Sequence, residues 1–260
     1  MKVASGWILV SGGSSGLGAA CVDRFLELGC SVLNFDIAPP RTDVLTRFPN
    51  RCQYVSGDVT KEEDVRSAIA LGTKRFKKQL SAAITCAGIL HSERAVGRDG
   101  AGSLDSFRRV VEINLIGTYN VARLSAESMS QVEVPVADAD ADAERGVIVM
   151  TASIAAFDGQ TGQSAYAASK GGVAAMALPL ARDFGRLGIR VVCIAPGVFE
   201  TPMMQVAPEK VRSGLLAETP FPHRFGEPRE FALTVQHVIE NAMFNGCTLR
   251  LDAGLRMPAK

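Results

Sequence analysis

Tyr166 and Lys170 stand four residues apart in Ser-Ala-Tyr-Ala-Ala-Ser-Lys (164–170), a segment that reads as helix. That spacing puts both side chains on one helix face. An ammonium beside a phenol favours the phenolate. Lys170 is therefore expected to lower the Tyr166 pKa and make the phenol usable as an acid or base nearer neutral pH. Ser153 lies just past the apolar run Gly-Val-Ile-Val-Met-Thr (146–151), which reads as a buried strand. Strand ends are where an open α/β sheet presents side chains to a ligand, so hydroxyl, phenol and ammonium are expected to meet there. Taken alone, Tyr-x-x-x-Lys is short enough to arise by chance on an exposed helix. The strand before it and a second motif turn the reading towards a site.

The second motif is Gly12-Gly-Ser-Ser-Gly-Leu-Gly18, between an apolar run at 7–11 and an amphipathic stretch reaching about Leu28. Strand, glycine turn and helix N-terminus in that order make an anion site. The glycines let the backbone approach a pyrophosphate, and unpaired N–H groups face it. Gly12, Gly16 and Gly18 follow Gly-x-x-x-Gly-x-Gly rather than the commoner Gly-x-Gly-x-x-Gly. Asp36 ends the next apolar run, about twenty positions on, where a carboxylate can accept hydrogen bonds from an adenosine ribose. It would repel the 2′-phosphate of NADP, and the nearest arginine, Arg41, lies beyond two prolines. NAD is the expected cofactor.

These residues need a frame. Short apolar runs near 7–11, 31–35, 51–56, 80–84, 146–151, 190–194 and 248–251 alternate with helical stretches at 61–78, 104–129, 164–185 and 227–241. The alternation predicts an α/β fold. It is a single-domain Rossmann-type doubly wound parallel sheet of about seven strands, over 1–260, with helices on both faces. Asp58 either contacts an adenine edge or only shapes its turn. Thr60 is expected to cap the helix that follows, with Glu63 as its capping-box partner. Asn114 falls inside the helix expected over 104–129, where Asn is a poor former and needs a local reason to be present. Residues 89–103 read as a loop bordering a substrate cleft. Residues 131–145 read as an acidic, mobile insertion. Its Asp-x-Asp-x-Asp start is that of a calcium loop, yet Ala143 stands where such a loop has Gly and Val149 where it has Glu. Pro196 and Gly197 open a second wall of the crevice. Residues 198–225 read as a substrate lid, with Met203, Met204 and Phe221 as apolar contacts.

At 260 residues one large core suffices. The 28 Lys and Arg nearly cancel the 27 Asp and Glu, which argues against broad attraction to nucleic acid or an anionic membrane. The longest apolar runs are strand-sized, too short for a membrane span. Cysteines at 21, 30, 52, 86, 193 and 247 include no Cys-x-x-Cys pair and read as small buried residues, not as a disulfide framework or zinc site. Histidines at 91, 223 and 237 form no ligand pattern, so no catalytic metal is expected. About six residues precede the first strand, with no apolar h-region, and an intracellular product is expected.

In chain order, Gly12-x-x-x-Gly16-x-Gly18, Asp36, Asp58, Ala87-Gly88, Asn114, Ser153, Tyr166-x-x-x-Lys170 and Pro196-Gly197 resemble the motif set of the short-chain dehydrogenases/reductases, from about residue 6 to 258. The resemblance implies a role for each. Tyr166 would be the general acid/base. Lys170 would hold the nicotinamide ribose, Ser153 the substrate oxygen, and Asn114 a water of the proton relay. Gly16, Leu17 and Gly18 would face the pyrophosphate, Asp36 the adenosine ribose, and Asp58 and Val59 the adenine. Thr201 would meet the nicotinamide carboxamide and Gln160 the substrate. Gly12, Ser15, Cys86, Ala87, Gly88, Pro196, Gly197 and Val198 would complete the coenzyme lining. Four departures stand out: Thr85 where the family has Asn, Ser11 where it has Thr, Ala253-Gly254 in inverted order, and the acidic insertion. Thr85 puts local hydrogen bonding in the central sheet in doubt rather than catalysis.

Within the family, Thr151-Ala-Ser-Ile-Ala-Ala-Phe-Asp-Gly-Gln160, Leu178-Pro-Leu-Ala-Arg182, Thr219-Pro-Phe-Pro222 and Arg250-Leu-Asp-Ala-Gly-Leu-Arg-Met257 resemble members acting on 3-hydroxyacyl-CoA thioesters. The leading expectation is NAD-dependent oxidation of an L-3-hydroxyacyl-CoA. The alternatives are a steroid or other hydrophobic secondary alcohol as substrate and, further off, an NAD-binding partner protein. The resemblance also implies a homotetramer with interfaces on 104–129 and 164–185. It suggests a mitochondrial location, with cytoplasm the alternative.

Overall fold

The structure is a computed structural model that describes residues 6–40, 43–98, 100–131 and 144–259. Its centre is a sheet of β1 (Trp7–Ser11), β2 (Ser31–Asp36), β3 (Cys52–Ser56), β4 (Leu80–Thr85), β7 (Gly146–Thr151), β8 (Ile189–Pro196) and β9 (Thr248–Leu251). The spatial order is β3-β2-β1-β4-β7-β8-β9, and every neighbouring pair runs parallel. The strand order reverses between β1 and β4, where a doubly wound sheet opens a crevice at the carboxyl ends of its strands. A separate hairpin joins β5 (Val96–Gly97) to β6 (Gly100–Ala101) inside the 89–103 stretch that reads as loop.

Strands covered on both faces read as continuous apolar runs. Accordingly β1, β4, β7 and β8 are buried along their whole length, while β3 and β9 at the edges are mostly half-buried. Alternate residues divide two cores, as the two-residue period of a strand requires. Trp7, Leu9, Leu33, Ile148, Met150 and Val191 belong to one core with residues of α3 (Glu62–Phe76), α5 (Gly117–Ser130) and α6 (Ser164–Gly185). Ile8, Val10, Val32, Ile84, Val192 and Ile194 belong to the other, with Phe25 of α1 (Gly16–Glu27) and Phe231 of α9 (Pro228–Glu240). Burying each such side chain contributes about 1.5–3 kcal/mol.

Local details depart from the expectations. The helix expected over 104–129 is α4 (Leu104–Val111), one π turn at Glu112–Ile116, and α5. The expected Thr60 capping box does not form. Asp58 Oδ1 accepts from both the backbone N–H and the hydroxyl of Thr60 at 2.9 Å, in an Asx turn. Helix α3 then starts one residue after Lys61, which makes no side-chain cap bond. A short α2 (Val44–Arg47) was not visible in the pattern. Of the acidic stretch 131–145, residues 132–143 lie outside the described residues.

Candidate active site

Ser153 follows β7 by two residues in extended conformation and caps a single 3-10 turn, Ile154–Ala156. Its Oγ accepts from Ala155 N at 3.1 Å, which fixes the oxygen and leaves the hydroxyl proton to donate. Tyr166 and Lys170 lie in the first two turns of α6 and share a face, Lys170 Nζ standing 5.9 Å from the Tyr166 ring centroid. Lys170 is only 5% exposed and donates to Thr151 O, at the end of β7, at 2.8 Å. The expected meeting of hydroxyl, phenol and ammonium at a strand end is thus formed.

Asn114 is fully buried inside the π turn. Such single-turn bulges re-aim side chains inside helices and recur at functional sites. Its Oδ1 accepts from Ile89 N at 2.8 Å, while Nδ2 donates to Ile89 O at 2.9 Å and to Ser169 Oγ at 3.1 Å. Ser169 in turn donates to Tyr166 O at 2.8 Å. The Asn114 side chain is therefore a tie between the segment after β4 and the helix that carries Tyr166. Ser169, Thr151 O and the Ile89 backbone were missed in the sequence. Ser169 alone had a signal there, its three-residue offset from Tyr166.

The electrostatics correct one expectation. Burial pushes the Tyr166 pKa up, and a hydrogen bond with Ser153 pulls it back only in part. Lys170 is not what dominates it. Burial also lowers Lys170 to about 8, against smaller opposing influences from Cys193 and Cys86. Both groups are driven towards their neutral forms by the same desolvation. At neutral pH the phenol holds its proton, and the amine is close enough to titration to pass one.

Beside this trio lies the glycine turn. Gly12 has a φ of +69°, and a Cβ there would stand 2.5 Å from Ala87 N; a Cβ on Gly18 would collide with Gly12 O. Only glycine allows this close winding. Ser15 precedes α1 with no side-chain cap bond, and the first turn of α1 carries no acidic residue, so its leading N–H groups remain for an anion. The Asp36 carboxylate accepts from Ser14 N at 3.0 Å and Ala38 N at 3.1 Å, pinned at the edge of that turn. Leu17 is half-buried on α1. Val59 packs inward against Gly117, and its carbonyl accepts from Asn120 Nδ2 at 2.8 Å. Cys86, Ala87 and Gly88 leave β4 beside the glycine turn. The Cβ position of Gly88 lies 3.5 Å from Lys170 Nζ.

Pro196 ends β8, and Gly197 donates to Leu251 O at 2.9 Å. Val198 O accepts from Gly226 N at 2.9 Å, and Thr201 packs on Gly16, its Cγ2 3.4 Å from the Cβ position there. Gln160 Nε2 donates to Pro258 O at 3.1 Å, so the chain terminus closes against the residues after Ser153. Arg250 strengthens that closure, bonding Asp158 at 2.6 Å and Asp252 at 2.7 Å. Ser11 Oγ and Thr85 Oγ1, opposite each other in the β1–β4 register, are buried without a hydrogen-bond partner. The doubt about Thr85 was well placed. The glycine cradle, free helix N-terminus, pinned Asp36 carboxylate and buried Lys170 amine together fit a nicotinamide dinucleotide.

The chain matches the short chain dehydrogenase family over residues 6–212. It is 44% identical to 3-hydroxyacyl-CoA dehydrogenase type-2 of Bos taurus over 254 residues, covering 96% of this chain and 94% of that one. The enzyme of the same name from Drosophila melanogaster is also 44% identical, over 252 residues and 96% of each chain. The crystal structure of 3-hydroxyacyl-CoA dehydrogenase type-2 from Mycobacterium avium superposes with a TM-score of 0.91 at 38% identity, covering 98% of both chains. The protein is an oxidoreductase of the short-chain dehydrogenase/reductase family.

Proposed function

We propose that the protein oxidises an L-3-hydroxyacyl-CoA to the 3-oxoacyl-CoA with NAD. The observation that carries the reading is the Ser153–Tyr166–Lys170 constellation at the end of β7, in a chain this close to 3-hydroxyacyl-CoA dehydrogenases type-2. When bound, NAD supplies the hydride acceptor, and the balance is L-3-hydroxyacyl-CoA + NAD⁺ → 3-oxoacyl-CoA + NADH + H⁺.

The chain's own residues do the rest. Ser153, fixed by Ala155 N, donates its hydroxyl proton to the substrate oxygen and stabilises negative charge developing there. In oxidation Tyr166 Oη takes the alcohol proton as its own proton leaves towards the Lys170 amine, and in reduction the proton returns by the same route. Lys170 holds a nicotinamide ribose hydroxyl and, with a pKa near 8, relays the proton onward. Asn114 and Ser169 position the Tyr166 helix turn. Asp36 receives the adenosine ribose hydroxyls and repels a 2′-phosphate, which selects NAD over NADP.

Exposed Leu104, Phe107, Ile116 and Tyr119 on the α4–α5 run, with Leu178 on α6, support the homotetramer implied by the resemblance. The mass in solution by light scattering decides it, and a monomer would sink it. The same likeness carries a mitochondrial location, for which cytosolic recovery on cell fractionation is the opposing result.

The deciding assay follows loss of NADH absorbance with acetoacetyl-CoA, beside NADPH as donor and a keto-steroid as acceptor. Fast turnover only with NADH and the thioester supports the reading. Turnover with the steroid alone moves the substrate to a hydrophobic alcohol, and no turnover by protein shown to bind NADH rejects both substrates.

A further inference from the structure

The segment read as a substrate lid forms α7 (Pro202–Gln205) followed by α8 (Glu209–Ala217). It carries many exposed apolar side chains, among them Met203, Val206 and Val211, and Leu215 is its one buried residue. So little apolar burial does not by itself hold a lid in one place. Arg212 of α8 makes the polar connections instead. Its Nη2 donates to Glu200 Oε1 at 2.8 Å, its Nη1 donates to Met204 O at the end of α7 at 3.1 Å, and its guanidinium lies 5.0 Å from the Phe225 ring centroid. Glu209 is a weaker neighbour, 4.0 Å from Nε and 86% exposed. The three main partners come from three segments: the loop leaving β8, the end of α7, and the strand-like return at Phe225–Gly226.

Glu200 is itself held in place, its N–H donating to Gly226 O at 2.8 Å. The residue after it, Thr201, packs on Gly16 of the coenzyme turn. A displacement of α8 that pulled Arg212 away would therefore release Glu200 and loosen the contact that Thr201 makes with the turn. The pair is partly covered, Arg212 at 24% and Glu200 at 41% side-chain exposure, and Arg212 is oriented by more than one partner. Such a pair holds more firmly than an isolated exposed one.

We propose that Glu200 and Arg212 form a latch that positions the lid and Thr201 over the coenzyme, and so sets how fast the coenzyme leaves. They are positioning residues, acting through Thr201 and the lid rather than on the reacting atoms. The proposal rests on the reading of the glycine turn as a nicotinamide-dinucleotide site.

The test uses the full chain carrying Arg212→Met, Glu200→Gln, and the charge reversal Glu200→Arg with Arg212→Glu. Amide hydrogen exchange over residues 202–217 is measured without coenzyme, and NADH release is followed by stopped-flow fluorescence. Each single variant is expected to speed exchange over 202–217 and to speed NADH release by about fivefold, the factor that about 1 kcal/mol represents. KM for NADH should rise while the single-turnover hydride-transfer rate at saturation stays near wild type. The charge reversal should restore only the share of the slow release that the ion pair contributes, because Arg212→Glu also loses the bond to Met204 O and the contact with Phe225. Unchanged exchange in both single variants overturns the latch, and so does NADH release from Glu200→Gln that stays as slow as in the wild type. If the wild type binds no NADH, the coenzyme reading fails instead, and hydrogen exchange still decides whether the latch holds the lid.

Discussion

Lys170 offers a test that needs neither substrate nor coenzyme. Burial lowers its pKa from 10.5 to about 8, a difference worth about 3 kcal/mol. The unfolded chain keeps this proton up to 10.5, the folded protein only to about 8. Below 8 both states hold it, and the cost of burying the charge is present in full. Above 8 the unfolded state binds more protons, so stability rises with pH. At pH 9 about 1 kcal/mol should have been recovered, which for a chain of this size corresponds to a few degrees in Tm. Lys170→Met removes the titrating group. It also leaves Thr151 O without its donor, a penalty of about 1–3 kcal/mol that does not vary with pH. Melting the coenzyme-free wild type and variant at one protein concentration, at about pH 6 and about pH 9, separates the two effects. The wild type should gain those degrees on the variant between the two pH values. Parallel curves would refute a desolvated Lys170.

Tyr166→Phe should lower turnover by about 10²–10⁴-fold while NADH affinity by fluorescence titration stays nearly unchanged; full retained activity rejects the mechanism. Asp36→Ala should weaken NADH by roughly ten- to a hundredfold, the worth of charge-assisted bonds to ribose hydroxyls, and improve NADPH relative to it. An unchanged preference would remove Asp36 as the selector. Alcohol oxidation should rise with pH from neutrality through about 8, because the proton relay needs the neutral Lys170 amine and that group titrates there. A pH-independent kcat between about 6 and 9 contradicts that assignment. Gly18→Ala should cost about 1–3 kcal/mol by crowding Gly12 O, read as a lower Tm together with weaker coenzyme binding.

Most of the sheet was legible because its central strands are buried on both faces. Such a position favours a mostly apolar run, and β1, β4, β7 and β8 were found where the runs stand. Short elements carry less signal. The β5–β6 hairpin is two residues a side and α2 one turn, too brief for any period to emerge. Thr60 shows a different limit. Its hydroxyl and Glu63 satisfy the capping pattern, yet the Asp58 carboxylate two residues back takes the backbone N–H that the Glu63 side chain would have bonded, and the Thr60 hydroxyl donates to Asp58 as well.

For the site, side-chain types and spacing were enough to bring Ser153, Tyr166 and Lys170 together, since a four-residue offset on a helix and a strand end are both local facts. The sign of the Tyr166 shift was not local. A lysine one turn away predicts a lowered phenol pKa only where solvent still screens desolvation. The depth at which α6 packs on β7 and β8 is a property of the whole fold. In that depth the amine yields its own charge before it stabilises the phenolate. The same holds for Asn114. Its presence in a helix announced a need, but only the π turn shows what was needed: a side chain aimed across at the Ile89 backbone and Ser169, tying the segment after β4 to the helix that carries Tyr166 and Lys170.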